Sequence, residues 1–189
     1  MTSSNLPTNR AAILPRFWRA ALAVTLPTVA AGCSLLNVDI NGEVQVDFAI
    51  SATETDYTKL LVVNPNEHPD VRDNADRIKN GRVTRVNVEI TRLGAENKAK
   101  QGSATIFARR PGTAWPTDPI TSFENMPIVV GQKFDLAMTP AKAEELSKLV
   151  FPDEGGAQQI EVDFRGRLDA APLDSDNRLT MAFDVTAGP

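Results

Sequence analysis

From Val38 to Ile50 the chain alternates with period two. Val38, Ile40, Val44, Val46, Phe48 and Ile50 take the even positions, Asp39, Asn41, Glu43, Gln45 and Asp47 the odd ones, and Gly42 is the one gap. Successive side chains of a strand point to opposite faces, so this pattern predicts a half-buried strand and is incompatible with a helix. The same alternation returns at Thr84, Val86, Val88 and Ile90 against Arg85, Asn87, Glu89 and Thr91. It returns again at Ala104, Ile106 and Ala108, at Ile160, Val162, Phe164 and Leu168, and at Leu179, Met181, Phe183 and Val185. Lys59 to Val63, Ile128 to Val130 and Lys133 to Met138 add short strand-like runs. Each long strand has one wet face, which favours antiparallel sheets packed face to face over a parallel α/β sheet. The expected fold is mainly β: an antiparallel, Ig-like β-sandwich with two short helices. An open antiparallel sheet carrying both helices on one face is the alternative.

Helices are expected at two places. Val71, Ala75 and Ile78 recur at helical spacing, with Gly81 as the C-terminal stop. Thr139-Pro140 reads as an N-cap followed by proline at the first helical position, opening a helix from Ala141 to Phe151. Gly94 to Gly102 reads as a hairpin connection, and Pro172 to Asn177 as the turn of a second hairpin joining the last two strands. Arg110 to Ser122 holds Pro111, Pro116 and Pro119, a proline density no central strand tolerates.

The N-terminal region is of another kind. Ala20 to Cys33 reads AALAVTLPTVAAGC, an apolar run of about 12 residues ending in small residues and a cysteine, with Arg10, Arg16 and Arg19 upstream and no acid. A membrane span needs roughly 20 apolar residues, which this run lacks. Ala30-Ala31-Gly32-Cys33 resembles the lipobox of a bacterial lipoprotein signal peptide, with Ala30 where the commonest lipobox has leucine. The resemblance implies removal of residues 1–32, a diacylglyceryl group on the Cys33 thiol and acyl chains as the membrane anchor, which two or three chains make stable. It also implies residence in the cell envelope. Ser34 after the cysteine resembles an outer-membrane address if the envelope is Gram-negative. A plain secretory signal is the rival reading. Residues 33–37 would then be the lipidated terminus and a short linker, and 38–189 one sandwich domain.

Three of the 20 bases precede Cys33 and all 24 acids follow it, so the mature chain carries 17 bases against 24 acids, a formal net charge of −7. Such a domain is repelled by nucleic acid, and attraction to anionic headgroups is weak. With Cys33 the single cysteine, no internal disulfide can form.

Candidate chemistry is sparse. His68, the only histidine, would have to serve any hydrolytic triad, and a solvated loop position between Pro65 and Pro69 is the expected alternative. No G-x-S-x-G or H-E-x-x-H is present. Asp70, Asp73 and Asp76 on a helix edge, and Asp174-Ser175-Asp176-Asn177, lack the glycine bend and bidentate acid of a calcium loop, so no metal or other cofactor is expected. Trp115, with Arg109 and Arg110 on the proline-rich loop, is the candidate partner-binding element, because interfaces favour Trp and Arg. It would equally plug the end of the sandwich. The expectation is a membrane-anchored, non-enzymatic binding or accessory domain contacting an envelope protein. A carrier of a lipid or small apolar ligand is the alternative, and a hydrolase using His68 the third.

Overall fold

The computed structural model describes residues 37–154 and 156–188, all within one compact unit, Cys33–Pro189. Among the described residues eight strands form: β1 (Val38–Ala52), β2 (Asp56–Val63), β3 (Ile78–Leu93), β4 (Gln101–Arg109), β5 (Thr121–Pro127), β6 (Lys133–Asp135), β7 (Ile160–Leu168) and β8 (Leu173–Ala187). Two helices accompany them, α1 (Pro69–Asp73) and α2 (Pro140–Val150).

The strands make two four-stranded sheets in the orders β1-β8-β3-β6 and β2-β7-β4-β5, with every pairing antiparallel. The pairs β1·β8, β2·β7, β3·β6 and β4·β5 join the first strand to the last and so on inward, as in one long hairpin whose tip is β4·β5. Rolling that hairpin adds the contacts β8·β3 and β7·β4 and closes two sheets over one core. This is the jelly roll, a two-sheet Greek-key sandwich. The antiparallel sandwich expected from one-sided strands is what the chain builds. Its order departs from an Ig-like one, because only β4 and β5 are both neighbours in sequence and partners in a sheet.

Both expected hairpins are corrected by this order. β7 and β8 alternate cleanly and follow one another, yet they lie in different sheets. Residues 169–172, with a cis Ala171–Pro172 peptide, carry the chain across the far end of the sandwich. Asp174 to Asn177 therefore belongs to β8, not to a turn. β3 and β4 likewise face each other across the core, with the connection 94–100 crossing between sheets. Alternation specifies which face is buried, and two strands that share a core satisfy it as well as two that share a ladder.

Local details follow from packing. Val83, not Thr84, enters the core, because the β3·β8 register shifts between Val83 and Arg85 and leaves Thr84 as an extra, exposed residue. The first expected helix is shorter than its spacing suggested: α1 ends at Asp73, a 3₁₀ turn spans Ala75–Arg77, and Ile78 already begins β3. Gly81 accordingly sits in a strand, where a Cβ would collide with the Phe151 ring. Residues 128–130 lie between β5 and β6 and form no strand, whereas β5 occupies 121–127, part of which read as loop. Thr139 does cap α2, its hydroxyl accepting from the Lys142 N–H at 3.3 Å. The core holds Val63, Val71, Val150, Ile160, Leu179, Met181 and Phe183, none more than 2% exposed.

The sandwich has two ends. β1 runs from Val38 to Ala52, and three residues later β2 starts back toward Val63. The registers place Val38, Ile78 and Ala187 at one end of the first sheet, and Val63, Ile160 and Arg109 at the same end of the second. This is the entry end, where the chain arrives at Val38. The connection 110–120 and the helical turns of 65–77 also lie there. Ala52, Asp56, Leu93, Gln101, Leu168 and Leu173 mark the far end.

Candidate functional site

The outer face of β2-β7-β4-β5 carries the features that bear on binding. Val62, Glu161 and Arg109 stand in one row across β2, β7 and β4, and Leu60, Asp163 and Phe107 in the next. Arg109 Nε donates to Glu161 at 2.7 Å, and its Nη1 donates to the Thr113 carbonyl at 2.6 Å. The guanidinium so held lies 4.1 Å from the Trp115 ring centroid, a cation–π stack. One row on, Arg165 donates to the buried Asp163 at 2.8 Å and covers the Phe107 ring at 4.4 Å. Two aromatic rings are thus each fastened by an arginine, and each arginine by a carboxylate. Leu60 and Val62 on the edge strand β2 are 51% and 46% exposed beside them.

The structure therefore brings Arg109 and Trp115 together and sends Arg110 elsewhere. Successive residues at the end of a strand point to opposite sides, and Arg110 donates to the Lys148 and Leu149 carbonyls at the end of α2. There it satisfies carbonyls that a helix C-terminus leaves open. Trp115 is half-buried against Arg109, while 111–114 are exposed.

Toward the far end the same face hollows into an open depression of about 570 Å³. Thr58, Ser103, Thr105 and Ser122 line it with hydroxyls, flanked by Arg165 and Arg167. No spacing rule singled these residues out, since they come from four strands whose adjacency is set by the roll. Their outward alternation was the only trace of them in the sequence.

The other candidates resolve differently. His68 is not a solvated loop histidine: its ring packs edge-on against Phe183 at 5.7 Å, and its Nδ1 is buried without a hydrogen-bond partner. Gly42, the gap in the first alternation, supplies the room, because a Cβ there would lie 2.8 Å from the imidazole. A triad histidine needs an acceptor at Nδ1 to set its tautomer. Asp70 and Asp73 belong to α1 and Asp76 to the following turn, so the three share no helix edge. Asp174 and Asp176 point outward to Arg92, while Ser175 and Asn177 face the core and hydrogen-bond each other at 3.0 Å. Among the described residues no group of three His, Cys, Asp or Glu side chains is placed to hold a metal ion.

Between the sheets the cavities measure about 30 and 50 Å³, against the several hundred that a small-molecule site requires. Bulky Val, Ile, Leu and Phe side chains fill the space an apolar ligand would take. Among the described residues no helix is long and apolar enough to cross a membrane. The expected lipidation site Cys33 and the expected leader 1–32 lie outside the described residues, as do all of the expected linker 33–37 but Asn37.

No family model matches the chain, and no curated protein matches it. Solved structures do. A Desmodium yellow mottle tymovirus chain aligns with TM-score 0.34 and 8% identity, over 100% of this chain and 97% of its own. The capsid protein of BFDV, from a decameric crystal structure, aligns with TM-score 0.42 and 12% identity over 79% and 99%. A chain of infectious bursal disease virus, Gx strain, gives 0.37 and 9% over 81% of this chain and 32% of its own. Likeness at this level carries no functional meaning.

Proposed function

We propose that this protein is a lipid-anchored domain of the bacterial cell envelope that acts by binding, as an accessory or structural subunit, and not by catalysis. One observation carries the reading: β1 opens at Val38, five residues past Cys33. Five extended residues span at most roughly 18 Å, whereas the 15 residues of β1 extend about 50 Å. A diacylated Cys33 would therefore hold the sandwich by one end, close to the bilayer. The partner surface is the outer face of β2-β7-β4-β5. Its Arg165–Phe107 stack, beside the hydroxyl-lined depression, is pre-ordered by Asp163, which lowers the entropy lost on association.

Two measurements test this. Cys33→Ser is expected to abolish metabolic lipid labelling, leave residues 1–32 uncleaved and release the protein from the membrane fraction. Unchanged labelling and fractionation would remove the anchor. A photo-crosslinker at Thr105, in the hydroxyl-lined depression, is expected to capture one discrete envelope protein in cells. Failure to capture any, at native expression, would remove the partner.

A further inference from the structure

We infer that the entry end of the sandwich makes direct contact with the bilayer surface, through Trp115 and the connection 110–120, with Val62 and Val38 exposed at the same end. The inference rests on the lipid-anchor reading and goes beyond it, since acyl chains alone would leave the orientation of the protein open.

Three observations converge. The chain reaches the fold at Val38, so the 36 residues before Asn37, Cys33 among them, lead into the entry end. The connection 110–120 lies at that end, because Arg109 pairs with Glu161 next to the start of β7, as Val63 pairs with Ile160. The third is exposed apolar surface: Val38 is 41% exposed and Val62 46% at this end, with the partly exposed Trp115 ring stacked on Arg109 of Val62's row. Val129 and Val130, each 51% exposed, lie at the far end that the reporter below monitors. Tryptophan is enriched where protein meets the headgroup layer, its ring being apolar in body with one polar N–H. A 110–120 segment of Arg-Pro-Gly-Thr-Ala-Trp-Pro-Thr-Asp-Pro-Ile carries a single acid, Asp118. The neighbouring turns carry Glu67, Asp70, Asp73 and Asp76 against Arg72 and Arg77, which offers no net pull on anionic headgroups. The contact is accordingly apolar and interfacial, and a zwitterionic membrane is the fitting occupant.

Removal of residues 1–32 takes Trp18 away and leaves Trp115 as the only tryptophan of the mature protein. The wild-type lipidated protein is thus its own probe. Reconstituted into phosphatidylcholine vesicles whose acyl chains are brominated, it is expected to lose much of the emission seen in unbrominated vesicles. A far-end reporter, Ala95→Trp in a Trp115→Phe background, is expected to keep its emission in both. If the protein floats with the vesicles but Trp115 is unquenched, or if the far-end tryptophan is quenched equally, the contact is overturned and the anchor stands. If the wild-type protein does not float, the anchor fails and the contact with it.

Discussion

Ser147 of α2 stands between two elements: its hydroxyl accepts the Val83 N–H of β3 at 2.9 Å and donates to the Ala143 carbonyl at 2.7 Å. β6 pairs with β3 only at Asn87, Val88 and Glu89, so toward Ile78 the edge of β3 opposite β8 has no strand beside it. The helix takes that place, and one serine satisfies a donor that the short strand β6 leaves open. Ser147→Ala is expected to strand a buried N–H and cost about 1–3 kcal/mol. The urea midpoint reads the loss, and hydrogen exchange at Val83 is expected to accelerate. The exposed neighbour Lys148→Ala is the control, and its midpoint should barely move.

Phe183 is 1% exposed and meets two rings edge-on, His68 at 5.7 Å and Phe151 at 5.5 Å. It ties the 65–77 turns and the end of α2 to β8. Phe183→Ala is expected to destabilise the fold by about 3–5 kcal/mol, the usual cost of truncating a core aromatic. Chemical denaturation measures it.

Asp47, Arg178, Glu89 and Lys133 form one row across the outer face of β1-β8-β3-β6, with alternating sign. Arg178 grips Asp47 with bonds of 2.7 and 3.3 Å. That hydrogen bonding, with a smaller Coulombic attraction, holds the Asp47 carboxyl below its ordinary 3.8. A depressed carboxyl stabilises the fold above its unfolded pKa, and the contribution is lost as pH falls through the folded value. Stability should therefore decline on acidification below about pH 5. In Arg178→Ala, carboxyl-carbon NMR is expected to show Asp47 titrating nearer 3.8, with a shallower acid slope. An unmoved Asp47 titration would count against the pair.

Arg109 and Trp115 are coupled through a stack that Glu161 orients. A double-mutant cycle over Arg109→Ala and Trp115→Ala is expected to return about 0.5–1 kcal/mol. Glu161→Gln should reduce that coupling, since it removes the charge that holds the guanidinium under the ring.

Much of the strand inventory was legible in the alternation, because the outward and inward sides of Val38 to Ile50 or Ile160 to Leu168 are written residue by residue. Helix α2 was legible from its cap, Thr139-Pro140, though Ser147 was not, since a buried serine looks like any polar residue until its partner is known. Of the candidate site, Trp115 and Arg109 were visible as residue types suited to an interface. Arg110 was indistinguishable from Arg109 in sequence, and only the end of α2 explains where it goes. The depression lined by Thr58, Ser103, Thr105 and Ser122 left no trace beyond outward alternation, as its members are spread over three strands from position 58 to position 122.

The sequence by itself determined that this protein is built of one-sided strands suited to antiparallel sheets, because the direction of a side chain follows from its immediate neighbours. It did not determine which strands share a ladder. That β1 should pair with β8, and that the adjacent β7 and β8 should part into opposite sheets, is decided only when the rolled hairpin buries both apolar faces at once. Gly42 shows the difference in one residue: a gap in the pattern along the chain, and in the fold the space that admits His68.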